Sequence, residues 1–141
     1  MGGCVSIAAG TVALVDVRDL AAAALAPATD TDPPVHVDVV DALFPPAIML
    51  EWNDPWMQTS AGVRSIGCVF TSHLRVRCVG SRNEPGPGIR AIEDLVTFTI
   101  ERLAADPYPW NLEGLTAPRV FNIAKIDYLA ADVNYAIPTS I

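Results

Sequence analysis

Leu14, Val17, Ala21, Ala24 and Leu25 recur at helical spacing, which predicts a first helix from Thr11, a residue able to cap it, to Ala26, before Pro27. Pro27 to Pro34 reads as a linker of prolines and aspartates. Val35, Val37 and Val39 then alternate with His36 and Asp38, the period-two signature of a half-buried strand. A second strand is expected over Ala47–Trp52, after a rigid turn at Phe44-Pro45-Pro46, with a loop over Asn53–Gly62.

The longest strand candidate runs from Ser65 to Val79. Cys68, Phe70, Leu74, Val76 and Cys78 share one face, and Thr71, His73, Arg75 and Arg77 the other. A strand of that length overhangs a small domain, and an overhang is a natural place for a partner chain to add. Gly80 to Gly88 ends it as a turn. A second helix is predicted over Ile89–Ala105, with Ile89, Ile92, Val96, Ile100 and Leu103 as its core stripe. Phe98 points away from that stripe, beside Ala91, Leu95 and Arg102, so the helix has a second apolar contact to satisfy: a loop folded back over it, or another subunit. Asp106–Pro118 reads as a proline-rich loop, and two closing strands, Arg119–Ile126 and Leu129–Thr139, flank a tight turn at Asp127-Tyr128. These elements predict an α+β fold: a mixed, mostly antiparallel sheet of about five strands with two helices packed on it, in the order helix, three strands, helix, two strands.

The chain has 141 residues, which suits one domain, with residues 1–10 expected to form a flexible tail. Apolar residues make up 51% and charged residues 18%, more apolar surface than a soluble monomer needs, which points to subunit contacts. Sixteen acidic against nine basic residues leave a formal charge of -7, which argues against affinity for phosphates. An acidic wall can still surround DNA without holding it.

Chemistry is not expected. Cys4, Cys68 and Cys78 form no CxxC, and His36 and His73 lie outside ligand spacing with them, so neither a metal nor a cofactor is predicted. Ser72 and His73 are adjacent in a strand and face opposite ways, so they cannot share a proton. Asp16 with Asp19 and Glu93 with Asp94 read as solvated helix faces. The glycine-rich stretch before the second helix lacks the GK[ST] ending of a phosphate loop. Trp52, Trp56 and Met57 are unusually apolar for a loop; either Trp56 plugs the core over Trp52, or Trp56 and Met57 meet a partner. Gly2, Cys4 and Ser6 fit a lipidation pattern, set against an unmodified tail, and no membrane span is predicted.

The order of "RDLAAAALAP", "PPAIMLEWNDPWM", "GCVFTSHLRVRCVGSRNEPGPGI", "IEDLVTFTIERLAADPYPW" and "PRVFNIAKIDYLAADVNYAIPTSI" resembles the tail terminator proteins of long-tailed, siphovirus-type bacteriophages over most of the chain. The resemblance implies a non-enzymatic virion protein at the head-proximal end of the tail, assembled in the host cytoplasm. It implies a homo-oligomeric ring, expected to be hexameric, that caps the tail tube protein, stops its polymerisation and joins the neck or head-completion protein, with DNA passing through the lumen. The family has no catalytic residues to transfer. Ring or tube contacts are expected at Trp56, Met57, Arg75, Arg77, Phe98 and Arg102. The alternatives are a phage neck or head-completion connector and, in another class, a small hydrolase or an N-terminally lipidated regulatory domain.

Overall fold

The computed structural model describes residues 11–29, 32–37, 43–59, 69–81, 85–123 and 125–140. The expected tail over 1–10 with its lipidation motif, the end of the Val35–Val39 strand, the end of the loop at Gly62 and the start of the long strand at Ser65–Cys68 lie outside these residues.

The described residues form a seven-stranded mixed sheet with two α-helices, rather than about five strands. In chain order they are β1 (Val12–Ala13), a 3-10 turn (Leu14–Asp16), α1 (Val17–Leu25), β2 (Val35–His36), β3 (Ala47–Thr59), β4 (Val69–Gly80), α2 (Pro85–Ala105), β5 (Asn111–Leu115), β6 (Arg119–Ile123) and β7 (Ile126–Ser140). The class is α+β as expected, but the element order differs, with a strand ahead of the first helix and three strands after the second.

Strand β7 organises the sheet. One edge pairs antiparallel with β4 from Val69↔Ser140 to Gly80↔Leu129. Its other edge is shared by β6, β5 and, in parallel, β1. On the far side β4 pairs with β3, and β3 with β2.

Each departure from the predicted order follows from satisfying backbone groups along these edges. The Thr11–Ala26 helix is shorter because Val12 and Ala13 pair with Thr139 and Ser140, burying Val12. The Asp106–Pro118 loop contains β5 because β7 runs past β6 and leaves an edge for Asn111–Leu115 to pair with. The loop after Trp52 is instead strand: a register shift between Trp52 and Met57 absorbs Pro55, and Met57, Gln58 and Thr59 then pair with Ser72, Thr71 and Phe70. The turn predicted at Asp127-Tyr128 falls earlier, at Lys125, whose φ is 68°. Tyr128 is instead buried in strand, where its hydroxyl donates to the Leu43 carbonyl at 3.0 Å.

Both helices pack on one face of the sheet. Ala21 and Leu25 of α1 and Ile92, Leu95 and Leu103 of α2 meet Ile48, Leu50, Leu74, Val76, Cys78, Ala131, Val133 and Tyr135. The core stripe of α2 is therefore turned from the predicted one: Leu95 and Thr99 are buried and Ile89 is exposed. The helix begins at Pro85, since proline is tolerated in a first turn. Burial pushes the Cys78 thiol up to about 12, the hydrogen bond with Thr99 only partly opposing the loss of hydration and the Asp132 charge adding a smaller push upward.

Where β4 ends and α2 begins, the backbones touch through two glycines. A Cβ at Gly80 would lie 2.6 Å from the Gly88 carbonyl oxygen, and one at Gly88 would lie 2.2 Å from that of Ser81. Alanine at position 88 favours helix intrinsically by up to about 1 kcal/mol, but here it must separate backbone from backbone. Gly88→Ala is expected to lower stability by about 1–3 kcal/mol in urea unfolding. Cys78 is expected to resist iodoacetamide at pH 8 in the native protein and to react once urea unfolds it.

Candidate functional site

The sheet face away from the helices divides into two zones. Leu43, Ala47, Met49, Val79, Ile123, Tyr128 and Ala130 form a small second core, with Phe121 packed against it. Beside it, alternation on β3, β4 and β7 places Glu51, Arg75, Arg77, Asp132 and Asn134 on one surface.

Arg77 is the centre of the charged zone. Its Nε donates to Asp132 Oδ1 at 2.9 Å and its terminal nitrogen to Oδ2 at 3.4 Å, the paired geometry a guanidinium suits. Its guanidinium carbon lies 3.8 Å from the centre of the Phe121 ring, while Glu51 approaches to 3.6 Å. Arg75 donates to the other oxygen of Glu51. Both side chains of the Arg77–Asp132 pair are buried, so the aromatic ring and the second carboxylate supply what lost water no longer does.

His73 stands farther along β4. Its Nδ1 lies 2.7 Å from Glu113 Oε1 on β5 and its Nε2 2.9 Å from Gln58 Oε1 on β3, so one ring ties three strands together. Asn53 donates to Asn134 across the same face at 3.0 Å. These groups border an open concavity of about 340 Å³ whose lining, among the described residues, holds no serine, threonine, cysteine or lysine. Ser72 is buried on the opposite face. The concavity can accept and donate hydrogen bonds, but both nitrogens of its imidazole are already engaged. Among the described residues, no three His, Cys, Asp or Glu side chains are placed to hold a metal ion, and no helix is long and apolar enough to cross a membrane.

The residues singled out from the sequence do not converge on one patch. Arg75 and Arg77 are held within the sheet-face network. Trp56 is 46% exposed and stacks at 5.2 Å on Trp52, whose ring packs against the core, and Met57 is half-buried beside it. Phe98 packs on the main core, with the Arg102 guanidinium 4.6 Å from its ring centre. Arg102 reaches Asp32 at 3.3 Å. The backbone N–H groups of Ala28 and Thr29 also donate to that carboxylate and, with Arg102, hold it below the usual carboxylate range.

A surface the sequence did not mark lies on β5 and β6. Leu112 pairs with Tyr135, Leu115 with Val133 and Val120 with Leu129, and all three partners face the helices. By register Leu112, Leu115 and Val120 lie on the helix side, with Leu115, beyond a bulge in β5, also bordering the concavity on the other face, and they are 46%, 50% and 49% exposed. The flanking prolines Pro107, Pro109 and Pro118 hid this strand as a loop; Leu112 and Leu115 in a short polar stretch were the available signal.

No protein-family model matches the chain, and no curated protein matches it either.

Asp132→Ala is expected to destabilise the protein by about 3–5 kcal/mol, because it leaves the buried Arg77 charge with only the more distant Glu51 carboxylate. The double variant Arg77→Met/Asp132→Leu is expected to lose much less. Chemical denaturation of both checks this, and equal losses would mean that the pair itself carries the stability.

Proposed function

We propose that this protein is a structural subunit of a long-tailed phage virion that forms a ring capping the tail tube and joining it to the head-proximal assembly. The observation that supports this reading most is the row of uncovered aliphatic residues on β5 and β6, which suits a subunit whose fold is completed by a neighbour. The order of sequence blocks resembling tail terminators supports it as well. A further support is the formal charge of -7: a ring of such subunits lets DNA pass without gripping it.

On this reading no reaction takes place. The subunit adds to the end of a finished tube, and closure of the ring by repeated head-to-tail contact prevents open-ended growth. Binding energy comes from apolar surface left uncovered in the free chain.

Native mass spectrometry and negative-stain imaging of the purified protein, free and mixed with tail tubes, test the proposal. Closed rings seated on tube ends are expected. A protein that stays monomeric and ignores tubes contradicts it, and one that binds a head component instead of tubes is a neck subunit.

A further inference from the structure

We propose that β5 is a releasable strap: residues 112–118 lift off the edge of β7 by local opening while β6 stays paired, and the contact between His73 and Glu113 is the latch that holds them down. This device is independent of the ring reading.

Of the three strands that share this edge of β7, β5 alone buries no residue. β1 buries Val12 beside Val17 and Ile137. β6 buries Ile123 and lays Phe121 on the second core, under the Arg77 guanidinium. In β5, by contrast, Asn111, Leu112, Glu113 and Leu115 are exposed and Gly114 is half-buried, so its release uncovers little apolar area. The ladder is also interrupted between Leu112 and Gly114, which leaves Glu113 opposite no residue of β7. A strand held by exposed hydrogen bonds with little apolar contact is where local opening concentrates.

The connections give the strap room to move. Before it, Trp110 is anchored, with its ring packed on the main core and its Nε1 donating to Asp106 at 2.8 Å. After it, β6 starts at Arg119. Eight residue steps separate Asn111 from Arg119, whereas their partners Ala136 and Ala130 are six apart on β7. At the usual rise of a strand the segment has about 27 Å of length over an edge of about 20 Å, so it can bow outward with both ends in place.

Polar contacts hold the middle. His73 reaches Glu113 from β4 across β7, where its partner Ala136 carries only a methyl group and leaves the ring room. Gln58, 2.9 Å from Nε2, keeps the imidazole in place when Glu113 leaves. Near the end of the strap the Thr116 N–H donates to the Asp132 carbonyl and the Asp132 N–H to the Thr116 hydroxyl, each at 2.9 Å. Breaking these bonds and the short ladder bares the backbone edge of β7 over residues 132–135, a template for extended chain that the closed strap covers.

Hydrogen exchange of the full-length chain, diluted until it is monomeric, tests the strap. Protection of the hydrogen-bonded amides of residues 111–116 and of Asp132 is expected to be at least about tenfold lower than that of β6. Glu113→Ala, at an exposed position, is expected to lower protection of residues 111–116 by a further threefold to tenfold or so and to leave β6 unchanged. Glu113→Gln, which keeps an oxygen for His73, is expected to restore most of it. Equal protection of β5 and β6 in the unaltered chain overturns the strap. A Glu113→Ala chain that exchanges like the unaltered one, or that loses protection in β5 and β6 alike, overturns the latch.

Discussion

Strand β7 is paired on both edges over most of its fifteen residues, and most of the molecule is arranged around those pairings. One long partner, β4, suffices on one side. Three short segments from distant parts of the chain share the other: β6 by a hairpin, β5 after the loop that follows α2, and β1 from the start of the described chain. Folding therefore requires long loop closures, with β1 and β7 separated by more than a hundred residues. Because β5 and β6 pair, among the described residues, only with β7, they form a rim of the sheet.

The two faces of that sheet are stabilised differently. The helix side is an apolar core in which Leu25, Ile48, Leu74, Ile92 and Leu103 are fully buried. On the other side a buried ion pair lies next to a small apolar cluster. Desolvating Arg77 and Asp132 costs more than a surface pair would, and the Phe121 ring together with Glu51 offsets part of that cost. The network sets register as well: sliding β4 by one residue against β7 would carry Arg77 to the helix side and Val76 and Cys78 away from it. His73 extends the same logic to β5, which has few apolar contacts to hold it.

The long elements were legible in the sequence. The alternation around Arg75 and Arg77 assigned the faces of β4 correctly, and the apolar repeat located α2 within a few residues. What escaped were segments whose conformation is decided by a partner strand. Val12–Ala13 and Asn111–Leu115 are too short for periodicity, and prolines around the latter spoke for a loop. Asn53–Thr59 contains Pro55, which a regular strand excludes, and only the register shift accommodates it. For the candidate site, the polar strand face was readable but its closure into ion pairs was not, since Asp132 lies 55 residues from Arg77. The β5–β6 surface required the pairing register, which no local pattern supplies.

A scaffold fixed by β7 and an uncovered rim beside it suit, on the ring proposal, a division of labour in which the interior keeps the fold and the rim meets the neighbour. Hydrogen exchange of the protein free and in its assembled state measures this most directly. On that proposal, assembly is expected to slow exchange in β5 and β6 while the amides shared by β4 and β7 stay unchanged. Protection that appears instead on the Arg77–Asp132 face, with β5 and β6 unaltered, would contradict it.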